Sequence, residues 1–318
     1  MIQAKKREGK GAGMPGTPRS NLRARAKASL PLYCMLALPL LYYLIFQYVP
    51  LAWLTLAFKD YNAVAGLWAS DWVGFKHFLA FFAAPDFWQL IRNTVLLSLF
   101  NILWGFPMPI ILALMVNEVR HSKLKKVVQN ITYLPHFFST VLICGLVVNL
   151  LSTEGIVNKL VFAMTGAKTP FLTTPEWFRT IYVGSGIWQS IGWGSIIYLA
   201  ALSGVDQQLY ESAVLDGASK LQQIWYISLA SITPLIVIQL LLSLSKIMSV
   251  GFEKVLLLYN GSIYETADII STYVYRRGLQ QSQFSYGTAV DLFNSAINVL
   301  LVFIANKISK KVGDVGLW

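Results

Sequence analysis

One stretch of this chain has residue types and spacing that suggest a device. It reads Asp206-Gln-Gln-Leu-Tyr-Glu211-Ser212-Ala213-Val-Leu-Asp216-Gly217-Ala218-Ser219-Lys-Leu-Gln222, then runs through Trp225, Ile227 and Leu229 to Pro234. Asp206 is placed to cap a short helix containing Glu211 and Ala213. Gly217 supplies the backbone freedom for a sharp turn. Ser219 and Gln222 have capping-box spacing for a second helix, which carries Leu221, Ile224, Trp225 and Ile227. The expected product is a stiff elbow of two helices. Small residues at Ser212, Ala213, Gly217 and Ala218 leave room for another surface to approach closely.

Residues for bond chemistry are sparse. His77, His121 and His136 are far apart, and no CxxC or HExxH pattern occurs. Cys34 and Cys144 lie in apolar runs and read as free buried thiols rather than a disulfide. The phosphate-binding pattern GxxxxGK[ST] is absent, so no ATP is expected to bind this chain through such a loop. The sequence calls for no cofactor.

The elements that would carry the elbow are apolar. Of 318 residues, 55% are hydrophobic and 13% are charged, and mean hydropathy is +0.55. A water-soluble fold could not cover that much apolar surface, which excludes a nucleic-acid-binding module and disfavours a cytosolic enzyme. The runs 28–58, 93–117, 127–153, 180–205 and 221–245 contain no charge, and a sixth, 292–306, lengthens if it begins near Thr288. About 20 helical residues cross a bilayer. Six spanning helices are therefore expected near 30–58, 91–116, 131–152, 181–203, 229–250 and 288–306. The runs are continuously apolar and do not alternate, which favours helices over a barrel. The first run exceeds a signal-peptide core and reads as an uncleaved span. Pro39, Pro50, Pro107 and Pro109 should kink or break their helices.

Net charge is +11, of which residues 1–29, with eight Lys/Arg and one Glu, hold +7. With six spans, 16 Lys/Arg fall in the segments on the side of the termini and eight in the opposite segments. The positive-inside rule then puts both termini in the cytoplasm. Residues 1–29 would be a basic cytoplasmic tail, 30–306 the membrane domain and 307–318 a second cytoplasmic tail. The segment 204–228 breaks the charge pattern. It is cytoplasmic by parity, yet sets Asp206, Glu211 and Asp216 against Lys220 alone. On the outer side, Trp68, Trp72, Phe75, Phe78, Phe81, Phe82, Phe87 and Trp88 read either as an interfacial amphipathic helix or as a docking surface.

The run Glu-Ser-Ala-x-x-Asp-Gly-Ala, followed by Ile227-x-Leu229 and Pro234, resembles the EAA loop of ABC-importer permease subunits. The chain departs from that pattern at Ser212, where alanine is usual, and at Ala230, where proline is usual. Phe58-Lys-Asp-Tyr61, Trp72-Val-Gly-Phe-Lys-His-Phe78, Gly105-Phe-Pro-Met-Pro109, Asn117-Glu-Val-Arg120 and Tyr133-Leu-Pro-His-Phe137 are similar to the carbohydrate branch importing oligosaccharides or polysaccharide fragments. The resemblance covers residues 28–318. It implies an all-α, six-helix type I permease fold in which the elbow forms coupling helices seated in a cleft of the ATP-binding subunit. Glu211, Ser212, Ala213, Asp216, Gly217 and Ala218 are the matching positions. The implied partners are a second permease in a heterodimer, two ATP-binding subunits, an extracellular solute-binding protein, an oligosaccharide and membrane lipid, with no nucleic acid.

A sugar pathway needs aromatic faces for stacking and amides or hydroxyls for the rim. Candidates are Asn93, Asn101, Asn149, Trp188, Gln189, Trp193, Tyr198, Gln239, Ser243, Asn294 and Asn298. Each single amide has a competing account as an interhelical hydrogen bond. Lys246 and Asp291, beside spans five and six, either snorkel to the interface or, for Lys246, face a uronic carboxylate. A stand-alone secondary sugar transporter is the alternative function. It would require ionisable residues deep in the bilayer, and it would leave the elbow without a task.

Overall fold

The structure, a computed structural model, describes residues 29–244, 247, 248 and 250–313. It divides into two compact units at Trp53/Leu54. The first is the start of helix α1, Leu30–Phe58, which carries Pro39 and Pro50. The helix is not broken. Its turns widen at Leu44–Tyr48, just before Pro50, which cannot donate, and tighten over Val49–Phe58.

In the second unit, β1 (Lys59–Asp60) pairs antiparallel with β2 (Asp71–Trp72), and helix α2 (Gly66–Ala69) lies between them. Helix α3 (Lys76–Phe82) follows. The aromatic segment is thus not one amphipathic helix. Phe58 stacks on Trp72 with ring centroids 5.6 Å apart, while Phe81 is wholly buried against Phe87, Tyr273 and Phe293. Trp68, Trp72 and Trp88 remain exposed.

Helix α4 spans Phe87–Glu118, with a wide turn at Asn101–Gly105 just before Pro107 and Pro109. The missing N–H groups of the two prolines are accommodated there without a break. The expected third span is revised. Helix α5 runs Ser122–Tyr133, a tight turn occupies Leu134–Phe137, and α6 begins only at Thr140. Pro135 and an extended Phe138 interrupt the ladder, and the Ser139 hydroxyl accepts from Leu142 N at 3.3 Å to start α6. Helix α6 ends at Leu151, and α7 (Ile156–Thr165) follows after a bend at Ser152–Gly155.

Helix α8, Pro175–Ser203, has 29 residues and reaches ~44 Å at ~1.5 Å per residue. Glycines let it approach its neighbours. A Cβ on Gly192 would lie 2.2 Å from the Thr132 carbonyl oxygen, and one on Gly194 would lie 3.0 Å from the Pro109 ring. Helices α9 (Gln207–Leu215) and α10 (Lys220–Leu244) follow. Helix α10 is described to Leu244, and Ile247 and Met248 form a turn, so the helix does not reach the expected boundary at 250. Then come α11 (Phe252–Leu258), α12 (Tyr264–Ala267), α13 (Ile270–Val274) and the 30-residue α14 (Phe284–Gly313).

Among the described residues five helices are long and apolar enough to cross a membrane: Leu30–Phe58, Phe87–Glu118, Thr140–Thr165 across the bend, Lys220–Leu244 and Phe284–Lys307. Helix α8 is long enough, but its glycines, serines, Gln189 and Arg179 lower its hydropathy. Three apolar cores hold the second unit together, two of them built on α8. One gathers Leu97, Phe178, Tyr182 and Val255, and another gathers Ile110, Ala113, Tyr198 and Ile232. The third packs Phe81, Leu90, Tyr273 and Val290.

Candidate functional site

The elbow forms as its residue types require. The Asp206 side chain accepts from Gln208 N at 3.0 Å and starts α9. At the other end Ala218 N donates to Ala213 O at 2.8 Å and Gly217 N donates to Val214 O at 3.1 Å. This is the Schellman closure, with Gly217 left-handed at φ +80°. Ser219 and Gln222 complete a capping box that starts α10. The elbow's second helix and the apolar helix that follows it are therefore one rod, Lys220–Leu244. Two contacts tie the elbow to the bundle: the Tyr210 and Ser228 hydroxyls lie 2.9 Å apart, and Lys220 Nζ lies 3.4 Å from Glu118 Oε2.

What the elbow leaves free matters as much. Glu211 is exposed and makes no hydrogen bond or ion pair among the described residues. Leu215 is 88% exposed and Leu221 78%. Trp225 and Tyr226 are exposed as well. An apolar rim around an unpaired carboxylate, on a rigid knuckle, is suited to docking.

About 20–30 Å back along α8, from Ser190 to Tyr182, lies a cavity of about 440 Å³. Helix α4 contributes Ser98 and Asn101, and α8 contributes Tyr182, Gln189 and Ser190. Ser243, at the end of α10, and Lys254, in α11, complete its polar lining. Asn101, Gln189 and Ser243 were expected from sequence. Lys254 was missed. It is 9% exposed, its Nζ donates to Tyr182 O at 2.7 Å, and it sits 4.7 Å from the Tyr182 ring centroid. Burial pushes its ammonium down to about 8, so the charged form still predominates at pH 7. No local pattern in sequence marks that depth, because Lys254 stands in an ordinary amphipathic turn.

The other residues expected for a pathway do not line this cavity. Trp193 stacks on His136 at 4.5 Å, and Trp188 is 44% exposed; neither lines the cavity. Tyr198 is buried in the core beside Ile110. Asn149 is exposed, and Gln239 is half-buried outside the cavity lining. Asn294 Nδ2 donates to Met248 O at 3.3 Å, and Asn298 accepts from Met248 N at 2.9 Å. Both pin the chain between α10 and α11. Asn93 is wholly buried and donates to Glu265 O and Asp268 O. Asp291 is exposed, while Lys246 lies outside the described residues.

Comparison with known proteins agrees with this architecture. The family described as "Binding-protein-dependent transport system inner membrane component" matches residues 76–313. The polygalacturonan/rhamnogalacturonan transport system permease protein YteP of Bacillus subtilis (strain 168) is 45% identical over 288 residues, 90% of each chain. Protein LplB of the same organism is 43% identical over 90% of this chain and 91% of its own. A chain in the crystal structure of a bacterial alginate ABC transporter, in complex with alginate pentasaccharide-bound periplasmic protein, superposes with a TM-score of 0.86. It is 43% identical over 93% of this chain and 99% of that one. The chain belongs to the binding-protein-dependent transport system inner membrane components, the permease subunits of ABC importers.

Proposed function

We propose that this chain forms one half of a translocation pathway for oligosaccharides or polysaccharide fragments, paired with a second permease. An extracellular binding protein delivers the sugar, and two ATP-hydrolysing subunits drive transport. Relatives named for polygalacturonan/rhamnogalacturonan and for alginate support the saccharide class. Helix α8 serves as a sixth span beside the five apolar helices, with both termini in the cytoplasm. ATPase closure moves the elbow as a rigid body, and the unbroken rod of α10 carries that motion into the bundle. Glu211, Ser212, Ala213, Asp216, Gly217 and Ala218 form or flank the seat in the ATPase cleft.

The observation that carries this reading is the pairing of a locally closed elbow with its exposed apolar rim and unpartnered Glu211. The test is Glu211→Lys in the co-expressed complex. It should lower binding-protein-stimulated ATP hydrolysis at least tenfold, or strip the ATPase from the purified complex, while leaving the thermal midpoint of the permease in place. Undiminished ATPase stimulation and sugar uptake would remove the coupling role and favour a carrier acting alone.

A further inference from the structure

We propose that Lys254 reads a carboxylate on the sugar as it crosses the cavity, so that the transported class is uronate-bearing oligosaccharides. The inference rests on the importer reading above and adds the substrate's charge to it.

Among the described residues lining the cavity, Lys254 alone is charged. Around it are the hydroxyls and amides of Ser98, Asn101, Gln189, Ser190 and Ser243, which suit the hydroxyl rim of a pyranose. Its ammonium has three donors, and the described contacts are the Tyr182 carbonyl and the Tyr182 ring, both neutral. It takes part in none of the ion pairs among the described residues. A cation held this deep with no counter-ion among the described residues is costly, and a bond to one carbonyl could be made by a neutral donor. The charge is therefore retained for something that arrives.

The same helix leaves room for the ammonium. A Cβ on Gly186, one turn along α8 from Tyr182, would lie 3.0 Å from Nζ, so a side chain there would make the lysine tip shift. Lysine also suits a passing ligand. It offers a point charge on a flexible stem, whereas an arginine fork would grip a carboxylate bidentately and release it less readily.

The experiment uses the full importer in proteoliposomes, with trigalacturonate and its carboxyl-reduced counterpart as probes. Uptake and ATP hydrolysis are measured for wild type, Lys254→Met and Lys254→Arg. Lys254→Met should lower trigalacturonate uptake at least tenfold and uptake of the reduced sugar less than twofold, with the thermal midpoint unchanged. Lys254→Arg should restore selectivity for the acidic sugar, at a rate below wild type. Equal losses for both sugars, or a lowered thermal midpoint that arginine does not repair, would make Lys254 a structural pin and overturn the inference. A wild-type importer that moves the reduced sugar and rejects the uronate overturns the acidic assignment but keeps the importer reading. A complex whose ATPase responds to no binding protein overturns both.

Discussion

The two ends of helix α8 are built to opposite rules. Beyond its C-terminus, the elbow closes on itself through backbone turns and caps, and turns Leu215, Leu221 and Trp225 outward. At its N-terminus, polar side chains are spent on the protein itself. Arg179 Nη2 donates to Asn93 Oδ1 at 3.3 Å, Asn93 holds the carbonyls of Glu265 and Asp268, and the Asp268 carboxylate pairs with Arg276. Arg276 also lies over the Tyr264 ring. One end is tied to its own chain, with the buried Arg179 Nε left over among the described residues, and the other is stiff but incomplete. Substitutions should therefore damage folding at the first and coupling at the second.

The largest effect tests the finished end. Asp268→Ala leaves the Arg276 guanidinium half-buried without its anion, in a cluster where the Asp268 side chain is 4% exposed. Removing one partner of such a buried pair costs about 3–5 kcal/mol. A guanidinium stays protonated at any ordinary pH even without its anion, so Arg276 will not escape the penalty by losing its proton. The complex should lose thermal stability or fail to assemble. A stable Asp268→Ala complex with impaired transport would erase the contrast between the ends.

At the elbow the expected loss is smaller, and it falls on function. Gly217 has open space around a built Cβ, so Gly217→Ala meets no clash and pays only for its φ of +80°. That strain is of order 1 kcal/mol. Global stability should shift by no more than this. Stimulated ATP hydrolysis per sugar transported should change more, because the angle between α9 and α10 depends on that residue. Measured together, thermal midpoint and coupling ratio separate a hinge that sets geometry from a turn that merely joins helices.

The same contrast governs what could be read from sequence. The elbow was legible residue by residue, because capping and turn formation are local. Asp206, Gly217 and the Ser219–Gln222 pair each need a neighbour no more than five positions away. The cavity was legible only in part, since it joins residues separated by more than 150 positions. Asn101, Gln189 and Ser243 were expected because an amide or hydroxyl in an apolar run is conspicuous. Lys254 was not, because its burial comes from packing against Tyr182. Trp193 and Asn93 have the right chemistry for a sugar but are spent on His136 and on the 265–268 carbonyls. The break at Phe138 was hidden inside a charge-free run, where hydropathy alone does not distinguish one helix from two.

The smallest effect sharpens the comparison by repeating the ion pair at the surface. Lys76 Nζ lies 2.9 Å from Asp60 Oδ2, with both side chains more than half exposed. The hydrogen bond and charge of Lys76 hold the Asp60 carboxyl below its usual value. A carboxyl lowered in the folded state contributes stability above its unfolded value, near 3.8. That contribution is lost as pH falls through the lower folded one. Exposed pairs contribute roughly 0–1 kcal/mol, and salt screens them. Lys76→Met should therefore shift the thermal midpoint slightly at neutral pH and low salt. The shift should vanish in ~1 M salt, where the Debye length is ~3 Å, and fade under acid conditions. The Asp268–Arg276 pair should keep its effect in that salt, since burial shields it. If both pairs respond alike to salt, depth is not what separates them, and the N-terminal end of α8 is less closed than its hydrogen bonds indicate.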